Sequence, residues 1–148
     1  VRVAEGCALT AGLIGGLGGS KCRTAAAHAL HNGLTQLNSS KQCLHGEIVG
    51  FGILVQLHLE QIHQENQLAN QARRQLIKFL QRLELPITIE ELGLGNLEIN
   101  KLEEACLFAC KEGSDIHDLP FPVSASTLLK SLIASSQEEV MLKIKTKL

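Results

Sequence analysis

Three histidines offer the chemistry in this sequence. His28 and His31 stand three residues apart within Ala25-Ala26-Ala27-His28-Ala29-Leu30-His31, so on a helix both project from one face. His45 comes 17 residues after His28, beyond the polar stretch Asn38-Ser39-Ser40-Lys41-Gln42. Two antiparallel helices joined by such a loop can set an imidazole from each against one point. The chemistry on offer is ligation of a divalent cation, and the competing reading is a set of histidines satisfied within a core. Ala25, Ala26, Ala27 and Gly46 leave room beside the rings. Two imidazoles do not complete a zinc or iron site, which takes three protein ligands and an open position, or two histidines and a carboxylate. Third ligands within the chain are poor candidates: Glu47 points away from His45 on a helix, and Asp115 and Asp118 are distant in sequence. The site reads as half-built. That agrees with a chain that starts at Val1 and has Met141 as its only methionine, which we read as a cut through something longer.

The elements that must position these rings read as helices almost throughout. Apolar residues come densely from Val3 to Leu17, which predicts a buried helix fraying at Gly15 and Gly16. The run Gly15-Gly16-Leu17-Gly18-Gly19-Ser20-Lys21 has the wrong order for a phosphate loop, since Ser20 precedes Lys21, and reads as a glycine connector. Thr24 is placed to cap a helix from Ala25 to about Leu37. A long helix follows from His45 to about Gln64, with Val49, Ile53 and Leu57 on its apolar stripe. Gly46, Gly50 and Gly52 inside it each cost about 1 kcal/mol relative to alanine, so a close approach to this backbone is expected. Asn66 opens the next helix. Its predicted core stripe is Leu68, Ala72, Leu76, Phe79 and Leu83, its solvated face is Arg73, Arg74, Lys78 and Arg82, and Pro86 stops it. Thr88 with Glu91, and Asn100 with Glu103, have the spacing of helix starts. Gly113 ends the second of these, Leu119–Val123 must be extended around its prolines, and Ser124 caps a last helix with a break expected near Ser135-Ser136, ending in a lysine-rich tail. The fold expected is all-α, a bundle of about seven helices forming a single domain over residues 1–148.

Composition removes several function classes. The 148 residues carry 14 basic and 15 acidic side chains, a net charge of −1, so there is no electrostatic footprint for nucleic acid or an anionic membrane. Four phenylalanines, with no Trp or Tyr, offer no stacking platform or aromatic cage. No apolar run predicts a membrane span or a signal peptide. Cys7, Cys22, Cys43, Cys106 and Cys110 are odd in number and scattered, which points to reduced thiols and a cytoplasmic protein. Cys106 and Cys110 would share a helix face as packing groups, no second pair being present to complete a zinc site. His58 and His63 read as surface or boundary residues, and His117, Phe51 and Phe121 as packing.

The segment Ala25-Ala26-Ala27-His28-Ala29-Leu30-His31-Asn32-Gly33-Leu34-Thr35 resembles the C-terminal helical domain of glycerol dehydrogenases, in the iron-containing alcohol dehydrogenase and dehydroquinate synthase-like superfamily. His45-Gly46-Glu47-Ile48-Val49-Gly50-Phe51-Gly52, Leu85-Pro86-Ile87-Thr88 and Ile116-His117-Asp118-Leu119-Pro120-Phe121-Pro122-Val123 agree with it in order. The resemblance implies a parent enzyme with an N-terminal Rossmann-like domain binding NAD(P), absent from this chain. It also implies a helical domain holding zinc or iron. Carried over by position, His28 and His45 are the metal ligands, and His31 is the candidate catalytic residue, lining the cleft near substrate and nicotinamide. An aspartate ligand and the glycine-rich pyrophosphate loop are expected before Val1. The implied activity is NAD(P)-dependent oxidation of a small alcohol or polyol, the metal polarising the substrate hydroxyl for hydride transfer. The full-length protein is expected to be a homo-oligomer, and this chain alone inactive. A free-standing non-catalytic helical domain that binds metal or a partner is the alternative. A relative with lyase chemistry is a third reading, disfavoured by the His-x-x-His-Asn-Gly and His-Gly-Glu patterns.

Overall fold

The computed structural model describes residues 2–19, 22 and 24–146. Ser20 and Lys21 of the glycine connector, and the last two residues of the lysine-rich tail, lie outside them. The chain is all-α, and no strand occurs among the described residues. A continuous N-terminal helix comprises α1 (Arg2–Gly6), a π-helical turn (Cys7–Ala11) and α2 (Gly12–Gly18). Then come α3 (Ala26–Leu34), a 3₁₀ turn (Asn38–Gln42), α4 (His45–Gln64), α5 (Gln67–Arg82), α6 (Ile99–Ala109), a 3₁₀ turn (Asp115–Asp118) and α7 (Ala125–Thr146). Helix α3 packs between α4 and α6, α4 also meets α5 and α7, and α6 meets α7. The core is one cluster built on Leu30, Leu34, Phe51, Leu54, Leu59, Leu128 and Leu132. Among the described residues no helix is long and apolar enough to cross a membrane.

Local chemistry sets several boundaries. Asn66 Oδ1 accepts from the amides of Leu68 and Ala69 at 3.0 and 3.2 Å, capping α5 as expected. That helix ends through Glu84 in the left-handed region, the Leu85 amide reaching back to the Leu80 carbonyl. Ser124 Oγ caps α7 by accepting from the Thr127 amide. Thr88 and Glu91 form the expected reciprocal pair, Thr88 Oγ1 accepting from the Glu91 amide and Glu91 Oε2 from the Ile87 amide. Only a single turn follows, because Gly93 at φ +72° ends it at once. Helix α6 begins at Ile99, so Asn100 lies inside it and is not its cap. Thr24 makes no cap either, since α3 starts at Ala26 and its N-cap residue is Ala25, which makes no side-chain capping bond.

Four expectations about faces and breaks are corrected. The N-terminal helix is exposed, not buried: Val3, Leu9, Leu13, Ile14 and Leu17 all face outward, because no described element packs on their side. Helix α4 buries Ile48, Phe51, Gly52, Val55 and Leu59, one residue out of phase with the stripe of Val49, Ile53 and Leu57. Helix α5 buries Ala69, Arg73, Ile77 and Leu80, while Leu68, Phe79 and Leu83 are exposed, so the supposedly solvated Arg73 lies on the core side. Helix α7 runs unbroken past Ser135-Ser136, both buried. The Ser136 hydroxyl accepts from the Ile89 amide and donates to Glu90, which ties α7 to the turn after Pro86.

Candidate functional site

Helix α3 presents His28 and His31 toward the first residue of α4, which is His45. The 3₁₀ turn and the extended Cys43 and Leu44 reverse the chain between them. Glu47 holds the start of α4, its Oε2 accepting from the Leu44 amide at 2.7 Å. This carboxylate is therefore occupied as a cap, where sequence reasoning had set it aside as a ligand on direction alone.

The three imidazoles meet. His31 and His45 ring centroids are 4.3 Å apart, edge to face, and His28 and His45 are 5.8 Å apart. His31 Nε2 and His45 Nδ1 share a hydrogen bond of 2.9 Å, and His31 Nδ1 is 3.1 Å from Asn32 Oδ1. Burial holds the His28 pKa below its ordinary value, and the neighbouring His45 and His31 push it the same way, against a smaller opposing pull from Asp115. At neutral pH His28 is thus a neutral ring, the form that ligates a cation. Asp115 acts on His28 because its 3₁₀ turn packs on α3, a proximity that separation in sequence conceals. Among the described residues, no group of three or more His, Cys, Asp or Glu side chains has the geometry to hold an ion. The donors brought together are His28 and His45, two imidazoles that suit a divalent cation and leave its coordination incomplete.

Beside His28 lies a cleft of about 240 Å³ walled by Ala25, Ala27, Val49, Ile53 and Gln56. Val49 and Ile53, assigned to the core by periodicity, line this cleft instead. Gln56 Oε1 accepts from the Ala27 amide at 3.2 Å and its Nε2 donates to Glu60, so a polar side chain from α4 steadies the turn of α3 that bears His28. Sequence reasoning missed Gln56 and Asn32, since neither belongs to a ligand pattern. The α4 glycines also differ from expectation. A Cβ on Gly52 would lie 2.8 Å from the Ala27 carbonyl oxygen, so this glycine admits α3; one on Gly50 would touch only Leu80, and one on Gly46 nothing within 4 Å. The close approach to this backbone comes from a neighbouring helix.

The remaining histidines stay outside the cluster. His63 stacks on Phe121 at 4.7 Å, and His117 Nε2 bonds the Lys111 carbonyl. Phe51 is fully buried and Phe121 packs partly against the core, as expected. Cys106 is buried, Cys110 half-buried, and Cys7 and Cys22 exposed, all as free thiols.

No protein-family model matches the chain. It is 50% identical over 138 residues to an uncharacterized oxidoreductase of Synechocystis sp., covering 93% of this chain and 36% of that protein. A glycolaldehyde reductase of Halobacterium salinarum is 37% identical over 125 residues, covering 84% of this chain and 33% of that protein. The glycerol dehydrogenase of Schizosaccharomyces pombe superimposes with a TM-score of 0.73 at 30% identity, over 83% of this chain and 30% of that one. The chain belongs to the glycerol dehydrogenase family. It spans about a third of the length of the glycerol dehydrogenases and other curated relatives it matches. The all-helical architecture is accordingly that of one part of a glycerol dehydrogenase.

Proposed function

We propose that residues 1–148 form the metal-binding helical domain of an NAD(P)-dependent dehydrogenase acting on a small alcohol or polyol such as glycerol. The observation that carries this reading is the convergence of His28, His31 and His45 from two helices onto one point beside a small cleft. In this reading His28 and His45 are two ligands of zinc or iron, a carboxylate from an upstream segment supplies a third, and NAD(P) binds to an upstream Rossmann-like domain. The bound cation would act as a Lewis acid toward the substrate hydroxyl. This chain's own residues do the rest on their side of the cleft. Burial keeps His28 neutral and ready to ligate, and the Gln56 side chain fixes the α3 turn beneath it. His31 stands beside His45 on the substrate side, while Val49 and Ile53 keep the cleft wall apolar and exclude water from the substrate's carbon skeleton.

The test is metal analysis combined with an NAD-linked alcohol panel on the full-length parent. Stoichiometric zinc or iron is expected, together with oxidation of small polyols, and His28→Ala and His45→Ala should each strip the metal. Unchanged metal content in both variants would remove these ligands from the reading. The 148-residue chain alone should fold without dehydrogenase activity, and NAD-linked glycerol turnover by it would overturn the division of labour proposed. The full-length protein should be a homo-oligomer by light scattering, a monomer counting against that part of the reading.

A further inference from the structure

We infer that Asn32 and His31 are positioning residues that set the tautomer of His45, leaving His45 Nε2 with a bare lone pair. The inference deepens the proposed metal site and rests on that reading for its purpose, though not for its geometry. Asn32 Oδ1 can only accept, so the 3.1 Å contact requires the proton of neutral His31 to sit on Nδ1. His31 Nε2 is then a bare acceptor. The 2.9 Å bond to His45 therefore takes its proton from His45 Nδ1. With that proton placed, His45 Nε2 has none and is free to ligate. The opposite arrangement of the pair, with His31 Nε2–H donating to His45 Nδ1, would leave a proton on His45 Nε2 and block ligation there. A hydrogen bond to the distal side of a ligating imidazole orients the ring and raises its basicity. Asn32 itself is held by α3, where its carbonyl also accepts from Thr35 Oγ1 and Gln36 Nε2.

The experiment uses the ¹⁵N-labelled 148-residue chain without metal at about pH 8, above the ordinary imidazole range. Long-range ¹H–¹⁵N correlations report which nitrogen of each ring carries the proton. In the wild-type chain His31 and His45 should both be Nδ1–H, although the free side chain prefers Nε2–H. Asn32→Leu should move both rings to Nε2–H, and Asn32→Asp, which keeps the acceptor, should leave them Nδ1–H. Asn32→Ala, which suits a helix better, replaces the leucine variant should that one fail to fold. Co²⁺ titration should then show affinity reduced roughly tenfold or more in Asn32→Leu and largely retained in Asn32→Asp. An Nε2–H ring at either position in the wild type, or Nδ1–H rings that survive Asn32→Leu, overturns the inference. Tautomers that respond as expected beside a full-length parent that holds neither zinc nor iron would support this hydrogen-bonded chain and count against the metal reading, so the two fail separately.

Discussion

Replacing Gly52 by alanine tests whether the α3–α4 contact governs the site. The added methyl would stand 2.8 Å from the Ala27 carbonyl oxygen and 3.1 Å from the Ala27 Cα, where ordinary contact begins at 3.4 Å. Both obstacles are backbone, so no rotamer change relieves them and α3 must retreat by about half an ångström. Overpacking of this kind costs about 1–3 kcal/mol, against about 1 kcal/mol gained from alanine's helix propensity. The net expected loss is about 1 kcal/mol. Gly46→Ala, on the same helix with nothing within 4 Å of the new methyl, is the control. It should gain up to about 1 kcal/mol, less at the helix's first turn. The two variants should therefore differ by about 2 kcal/mol, or about 4–8 °C in Tm for a chain of this length. Scanning calorimetry of the two side by side reads this directly. Because Ala27 precedes His28, Gly52→Ala should also weaken Co²⁺ binding, whereas Gly46→Ala should not. A Gly52→Ala chain that melts at or above Gly46→Ala would refute the argument that helix proximity explains the glycine.

Two further outcomes follow from individual groups. Burial first, then the nearby Cys110 and Glu103, push the Cys106 thiol up to about 12 from 9.0. The unfolded chain therefore loses this proton before the folded one does. The thiol's contribution is intact below about pH 9 and falls above it, with a slope of up to about 1.4 kcal/mol per pH unit; denaturant titrations of Cys106→Ala should show a shallower alkaline decline, and identical slopes would contradict the assignment. Asn66→Ala removes the acceptor for two first-turn amides of α5 and should cost about 1 kcal/mol in urea denaturation, an unchanged midpoint showing that the cap contributes nothing.

The parts of this fold legible in the sequence are those set by chemistry within a few residues. The bounds of α4, the Asn66 cap, the Ser124 cap and the extended Leu119 before Pro120 all belong to that class. Helix phase is different. Helix α4 is apolar nearly all round, so Ile48 and Val49 are equally good core residues by composition, and only packing against α3, α5 and α7 selects between them. In α5 two stripes compete, and the one that wins includes Arg73 because the neighbouring Ala69, Ile77 and Leu80 seat closely on α4. The Thr88–Glu91 pair misleads for a related reason. Its hydrogen bonds are those of a helix start, and a left-handed glycine two residues later decides that no helix follows.

The candidate site was legible as residue types and not as a network, and the cause lies in what joins its two helices. Ala26, Ala27 and Ala29 are each at most 4% exposed. They look in sequence like mere helix formers, yet Ala27 meets Gly52 at the thin interface that lets α3 and α4 come close. Interaxial distance follows side-chain size at the contact, so larger residues here would carry His28 and His31 away from His45 while leaving every histidine in its helix. The spacing of the three rings is therefore a packing property of residues that bear no chemistry. Gln56 extends the same logic, because its bond to the Ala27 amide forms only after the helices have met. Motif reading finds the ligating side chains; the small residues between the helices determine whether those side chains can reach a common ion.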